Sequence, residues 1–287
     1  MSRDAAPAAR HLREPVELEI RRALPDGAVP LVAVRDHVRS DTVMARGHRQ
    51  RRVLRLPAGE NFELLKRPGD PVKRGETVAV AEELFGLGLR EYVSPCDGVV
   101  ESVNTRKTAL VLAAPDSEIR ALLPGVVSSV SPEEVRLRVT ARRIEGRFGF
   151  GEPVAGRLWN AGELITEAEV RRRLGPHVQG RVVAAESLVL PSVLPALAAF
   201  GAAALVCGGI DLAPLWELVS PDGPHPAGRG LPTLVVTGGF GLHRMDEAAR
   251  EALADAEGRT VYAAGPQTGR LTFAGPPYAE VVIPAGI

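Results

Sequence analysis

Apolar residues follow two different patterns along the chain, and the change falls near Trp159. Before it, from about residue 16, short apolar runs are separated by Gly, Pro and Asp, with almost no helical period. The stretch VRLRVT at 135–140, for example, alternates Val or Leu with Arg or Thr, as a strand with one wet face does. This part of the chain is therefore predicted to be β structure.

After Trp159, strand-like apolar runs alternate with helix-like segments. The predicted strands are GRVVAAES, AALVCGGI, LPTLVVTGG and RTVYAAG. The predicted helices are ITEAEVRRRLG, with Thr166 as N-cap and Gly175 as stop, LPSVLPALAAFG, DLAPLWELV, and MDEAAREALADAEG, with Asp246 as N-cap. Such alternation predicts a mainly parallel sheet that is covered on both faces.

The fold class predicted from these patterns is α+β with several modules. They are a solvated tail (1–15), a β domain (16–115), a β extension (116–160), and an α/β domain with a short β tail (161–287). The uncharged stretch Leu188–Ile210 is long enough for a membrane span. Its two prolines and its acidic flanks, Glu186 and Asp211, favour a buried strand, helix and strand instead.

The amino-acid composition argues against several classes of function. The 35 basic and 35 acidic side chains balance, so no global field attracts nucleic acid or a membrane surface. Arginine clusters at 46–52 and 171–173 could contact RNA, but aromatic residues are only 4%, too few for base stacking, so solvated faces are the better interpretation. Two distant cysteines favour neither a disulfide framework nor a metal site, and they fit a reducing cytoplasm.

A degenerate repeat lies inside the β domain. RDHVRSDTVMA (35–45) aligns with GDPVKRGETVA (69–79) at an offset of 34, which matches Asp36 with Asp70, Val38 with Val72, and Ala45 with Ala79. Each copy would supply a turn acid, an inward valine, a turn residue and a strand. Chance similarity between two β-turns is the alternative.

The second copy resembles the barrel-sandwich hybrid of biotinyl and lipoyl carrier domains over about residues 62–113. The matching residues are Gly69, Asp70, Val72, Gly75, Ala79, Pro95, Gly98 and Val99. The resemblance implies a compact β scaffold with a presenting hairpin between Val80 and Val93. That hairpin contains no lysine, so the family's covalent biotin or lipoate has no attachment residue here.

Two glycine clusters are the strongest candidate for a ligand site. They end two predicted strands, and the candidate residues are Gly208, Gly209, Asp211, Gly238, Gly239 and Gly241. Ligands of open α/β sheets bind beyond the carboxyl ends of strands, where a helix N-terminus favours an anion. Neither cluster is a dinucleotide or P-loop motif, and no lysine follows Lys107, so ordinary turns are the alternative.

Catalytic signals are sparse. No HExxH or GxSxG motif occurs, and Cys207 follows Val206 in a buried-looking strand, where a small core residue is expected rather than a nucleophile. The glycine-rich run GRFGFGEPVAG (146–156) fits either a loop that approaches a ligand or, preferably, a tight turn or bulge.

The leading hypothesis is a non-catalytic binding or scaffold protein with no cofactor, which assembles with a protein partner or with itself. The alternative is an α/β protein that binds a small anion such as a nucleotide or phosphate, with possible enzymatic activity. A third hypothesis is an RNA-associated accessory protein.

The missing hairpin lysine makes a direct prediction about covalent modification. After expression together with biotin and lipoate ligases, the intact mass should equal the sequence mass. A biotinyl or lipoyl adduct on Lys66, Lys73 or Lys107 would contradict the prediction, and a carrier domain labelled in the same cells serves as the positive control.

Overall fold

The computed structural model describes residues 14–25, 27–47, 51–56, 62–73, 75–82, 89–94, 97–104, 109–113, 118–162, 166–220, 223–225, 228, 230–266 and 279–285. In these ranges the protein is mostly β, and its largest sheet is mixed. The strands are β1 (Val16–Ala23), β2 (Val29–Pro30), β3 (His37–Val38), β4 (Val43–Arg46), β5 (Arg51–Arg55), β6 (Phe62–Leu64), β7 (Pro71–Val72), β8 (Thr77–Glu82), β9 (Leu89–Val93), β10 (Gly98–Asn104), β11 (Ala109–Ala113), β12 (Glu118–Arg120), β13 (Gly125–Val130), β14 (Glu134–Glu145), β15 (Phe148–Phe150), β16 (Val154–Gly162), β17 (Val182–Val189), β18 (Ala204–Ile210), β19 (Thr233–Phe240), β20 (Thr260–Ala264) and β21 (Glu280–Pro284).

The α-helices of the described ranges all follow Trp159. They are α1 (Glu167–Glu169), α2 (Val193–Ala199), α3 (Leu212–Val219) and α4 (Glu247–Asp255). Both predicted N-caps are confirmed: Thr166 Oγ1 accepts the N–H of Glu169 at 3.3 Å, and Asp246 Oδ1 accepts that of Ala249 at 2.9 Å. The helix that Thr166 begins is not regular, because α1 continues as a π turn (Val170–Leu174) and a 3₁₀ turn (Gly175–Val178).

Strands β16 to β19 lie side by side and run parallel. The alternation of strands and helices predicts this for β17 to β19, whereas β16 comes mostly from the predicted β extension. The predicted strand RTVYAAG, which is β20, pairs antiparallel with β16, so the sheet is mixed rather than mainly parallel. Both faces of the parallel strands are covered. In β18, Leu205 packs in the core that includes α2 and α3, whereas its neighbour Val206 packs in the core that includes α4. Successive residues of a strand point to opposite faces, so the two cores lie on opposite sides of the sheet.

The uncharged stretch Leu188–Ile210 forms the end of β17, then α2 and β18, as predicted for a buried strand, helix and strand. Every residue of β18 is buried. Within the described ranges, no helix combines the length and the hydropathy that a membrane crossing requires.

The large sheet continues beyond the parallel strands. From β16 it runs through β20 and β21 to β14, and β14 pairs antiparallel with both β13 and β1. In β20, Tyr262 packs with apolar residues of β1 and β14, whereas Val261 packs with those of α4. Residues 16–23 and 134–145 therefore share one hydrogen-bonded sheet with the parallel strands.

Matching hydrogen bonds confirm the repeat predicted at 35–45 and 69–79. In each copy an aspartate Oδ2 accepts the N–H three residues before it, Asp36 from Ala33 at 2.7 Å and Asp70 from Arg67 at 2.8 Å. The residue before each aspartate has a positive φ, 78° at Arg35 and 96° at Gly69. The valines that follow, Val38 and Val72, are both buried. Chance similarity between turns does not explain this agreement.

The repeat also includes strands that lie outside the two aligned segments, 35–45 and 69–79. Strand β3 pairs with β13 as β7 pairs with β10, and β12 pairs with β4 as β9 pairs with β8. The order β1–β14–β13 likewise matches β5–β11–β10. The related sequences GVVSSV (125–130) and GVVESV (98–103) carry a bulge at the same place, between Val127 and Ser129 and between Val100 and Ser102.

We call β5–β11 the inner module, and β1–β4, β12, β13 and the Glu134–Ala141 part of β14 the outer module. The inner module is inserted in the outer one, because β4 ends at Arg46 and its register partner Glu118 begins β12. Each module has its own apolar core: Leu56, Val72 and Leu112 belong to the inner core, and Leu18, Leu137 and Tyr262 to the outer core. Among the described strands, β5–β11 pair only with one another.

Because the two modules have separate apolar cores, we expect a core substitution in one module to leave the stability of the other unchanged. Leu112→Ala and Leu137→Ala remove fully buried side chains at equivalent positions of the two modules, and each should cost about 2 to 5 kcal/mol. Leu112→Ala should speed amide exchange within β5–β11 only, because its core is not shared. Leu137→Ala should speed exchange in β1, β13 and β14 and leave β5–β11 protected. Equal acceleration in both modules by either variant would contradict this prediction.

Candidate functional site

The two predicted glycine clusters are adjacent in space. Gly209 of β18 and Gly239 of β19 are direct register partners at the carboxyl ends of these parallel strands. The strand ends therefore meet as the sequence predicts.

One side of this junction is filled by the chain itself. A Cβ at Gly208 would lie 2.7 Å from the carbonyl oxygens of Glu186 and His243, and one at Gly209 would lie 2.2 Å from the carbonyl oxygen of Gly241. The segment 241–245 folds across the strand ends, and Met245 donates its N–H to the Glu186 carbonyl at 2.8 Å. These glycines are needed because backbone approaches backbone closely.

The other side is more open. Gly239 and Gly241 have φ of +133° and +92°, and no atom outside the adjacent residues lies within 4 Å of a Cβ placed on Gly241. The imidazole of His243 is near Gly239, with Nε2 3.8 Å from the position of a Cβ there. Asp211 caps α3 by accepting the N–H of Ala213 at 3.4 Å. An anion site built on these residues remains a prediction.

Cys207 lies beside the glycines but belongs to the core. Its side chain is completely buried among apolar residues of β18 and its neighbours. Burial raises the pKa of the Cys207 thiol to about 12, because a thiolate there would lose its solvation. The interpretation of Cys207 as a small core residue is confirmed. In the described ranges, no three His, Cys, Asp or Glu side chains are grouped closely enough to hold a metal ion.

A cavity lies between the outer module and the parallel sheet. It has a volume of about 1110 Å³ and is lined from the outer module by Arg22, Leu24 and Arg120 and from the other side by Phe150 and Ala202. The glycine-rich run 146–156 reaches it through its residues 150–154. Gly151 has a φ of +103°, which a turn or bulge requires and a side chain would disfavour.

Arg22 is the unusual residue of this cavity. The residue is 6% exposed, and Nη2 donates to the carbonyl oxygen of Arg120 at 3.0 Å. Its Nε and Nη1 are buried and have no hydrogen-bond partner in the described part of the structure. The guanidinium carbon lies 5.8 Å from the centroid of the Tyr262 ring. Buried polar groups are normally hydrogen-bonded, so these two nitrogens require an explanation.

The sequence predictions did not single out Arg22, although the signal was present. In β1, Leu18 and Ile20 occupy alternate positions and are buried, and Arg22 is the next residue on that face. A charged residue at the inward position of an alternating strand is the feature that could have been noticed.

A comparison with protein-family models finds no match to this chain, and a comparison with curated proteins finds no similar sequence.

The close approach at the strand ends predicts a local effect of substitution. Gly209→Ala should lower the free energy of unfolding by about 1 to 3 kcal/mol, because its Cβ would collide with the Gly241 carbonyl. It should also speed exchange of the Met245 amide, which is bonded to Glu186. Gly241→Ala has open space and should cost only the strain of a positive φ, about 1 to 2 kcal/mol, without exposing Met245. A Gly209→Ala protein as stable as the wild type would contradict this account.

Proposed function

We propose that the chain is a non-catalytic binding protein in which the outer module presents the inner module to a protein partner, a second copy of the chain included. Both modules are taken as barrel-sandwich-type scaffolds, as the carrier-domain resemblance implies. A carrier domain presents its cargo on a hairpin, and the equivalent hairpin of the outer module is β4–β12. The observation that carries the proposal is the insertion of the whole inner module between these two strands.

The independence of the inner module supports this proposal. Its core of Leu56, Val72 and Leu112 is distinct from the outer core, and its described strands form no sheet with the rest of the chain. A unit with its own core can be displayed without being needed to hold the larger sheet together.

The two modules differ on the sheet face that points away from the apolar core of each module, and the difference favours a partner for the inner module. On the outer module this surface is charged and paired: Arg21 contacts Glu134, and Arg136 contacts both Glu134 and Glu19. Ion pairs of this kind keep a sheet face soluble.

At the position equivalent to Arg21, the inner module has Val53, which is 56% exposed. Val99 lies on the same face of the inner sheet and is 36% exposed. The two modules share a hydrogen-bond framework, so the difference in surface chemistry is not imposed by the fold. Exposed apolar side chains at positions that the fold does not require to be apolar support a contact surface here.

The test is a substitution at the centre of this surface. Val53→Asp should weaken association at least about tenfold, because an unpaired carboxylate would be buried at the interface. Association is measured by sedimentation velocity of the full chain over a range of concentrations, and by co-purification with a partner followed by reconstitution from pure components. Arg21→Asp, the equivalent change on the outer module, is the control and should leave association unchanged.

Two results would contradict the proposal. One is a Val53→Asp protein that associates as tightly as the wild type. The other is a wild-type chain that neither self-associates nor retains a partner in reconstitution.

A further inference from the structure

The cavity at Arg22 has the features of a ligand site that is separate from the surface of the inner module. We propose that it binds a small organic anion, in which a carboxylate or phosphate group is attached to an apolar body. The anionic group would lie against the Arg22 side chain that lines the cavity and balance the charge of its guanidinium, and the body would lie along the apolar wall of the cavity.

The first argument is that the fold does not require an arginine at this position. Arg22 of β1 pairs with Val135 of β14, and the equivalent pair of the inner module is Leu54 with Leu110. Leu54 packs against the inner core, as expected for an inward position. The same strand arrangement is therefore built with leucine in one module and with a buried cation in the other.

The second argument is the charge balance around Arg22. An arginine stays protonated in proteins, and a buried charge without a partner is costly. The contact with Tyr262 and the hydrogen bond to the Arg120 carbonyl are favourable but do not neutralise the guanidinium. Of the acids that line the cavity in the described ranges, Glu118 is paired with Arg120 at 2.6 Å and Glu152 is exposed. An anionic ligand in the cavity would supply the missing opposite charge.

The third argument is the shape and chemistry of the cavity wall. Besides the arginines, its lining includes the apolar side chains of Leu24, Ile119, Phe150, Leu231 and Ala202. Small-molecule sites are concave, mostly apolar and equipped with a few polar groups that orient the ligand. This lining predicts that inorganic phosphate alone binds weakly and that an apolar extension increases affinity.

A backbone feature beside Arg22 fits the same interpretation. Leu122 lines the cavity with a φ of +64°, a conformation that leucine adopts only when its surroundings impose it. Its N–H is bonded to the Ser40 carbonyl at 2.9 Å, which holds the segment whose Arg120 carbonyl positions the guanidinium. Such strained residues are frequent at ligand sites.

The test uses the full chain and a defined set of probes: inorganic phosphate, straight-chain carboxylates from acetate to decanoate, the corresponding alkyl phosphates, and octanol as the uncharged control. Binding is measured by thermal unfolding and by calorimetric titration. In the wild type, affinity should rise about fourfold for each added methylene, and octanol should not bind. The preferred headgroup series distinguishes a carboxylate ligand from a phosphate ligand.

Variants separate binding from a structural role of Arg22. Arg22→Leu, the residue found at the equivalent inner position, should abolish anion binding, and its thermal stability without ligand should equal or exceed that of the wild type, because an unpaired buried charge is removed. Arg21→Leu, on the opposite face of the same strand, should bind as the wild type does. Ala198→Phe keeps Arg22 but fills part of the cavity, so it should weaken the longer probes most.

The outcomes decide the proposal in each case. It is overturned if no probe binds the wild type, if Arg22→Leu binds as tightly as the wild type, or if phosphate binds as well as its alkyl esters, which would indicate an adventitious ion only. If Arg22→Leu fails to fold, Arg22→Lys and Ala198→Phe carry the test. Unchanged affinity in both would also overturn the proposal, whereas weaker binding in both would support it.

Discussion

The structure depends on three strands, β14, β20 and β21, that belong to two apolar cores at once. In β20, Tyr262 faces the outer module and Val261 faces α4, and in β21 Val282 and Val281 divide in the same way. Side chains alternate between the two faces of a strand. A shift of one residue in strand register would therefore exchange the residues that face the two cores, and neither set would contact its native neighbours. This double burial joins the outer module to the parallel sheet, and the Arg22 cavity lies at their junction.

The nested modules show how much sequence change one hydrogen-bond framework tolerates. The turn aspartates, Asp36 and Asp70, and the bulged strands are shared, whereas the side chains on the outer surfaces are not. Residues 47–117 separate the two strands of the outer hairpin, β4 and β12. Such an insertion is tolerated because the entropic cost of closing a loop grows only slowly with its length, and because the inserted chain forms its own core.

The two candidate sites, the glycine clusters and the Arg22 cavity, differ in how closely the surrounding chain packs. At Gly208 and Gly209, backbone from the same chain occupies the space that a ligand would need. At Arg22, the surfaces of the outer module and the parallel sheet do not close on each other, and a charged group remains between them with unpaired donors among the described residues. Close packing thus favours a structural role for the first glycines, and incomplete packing favours a ligand role for Arg22.

The features of the fold that the sequence alone could predict are those that local interactions determine. The period of apolar residues gave the order of strands and helices after Trp159, and capping chemistry at Thr166 and Asp246 gave the starts of α1 and α4. The meeting of Gly209 and Gly239 followed from strands that run in the same direction. Each of these depends on neighbours within a few residues or on a general rule of parallel sheets.

Only the tertiary structure decided which elements meet across the chain. The pairing of Val16–Ala23 with β14 and the packing of Tyr262 below Arg22 join residues separated by more than a hundred positions, and no local pattern encodes them. The alternation of Leu18 and Ile20 places Arg22 on the same face of β1, but only the packing of distant strands decides what covers its guanidinium. The sequence therefore determined which residues share a face of β1, but the fold determined which distant residues cover that face, because burial is a property of the assembled layers.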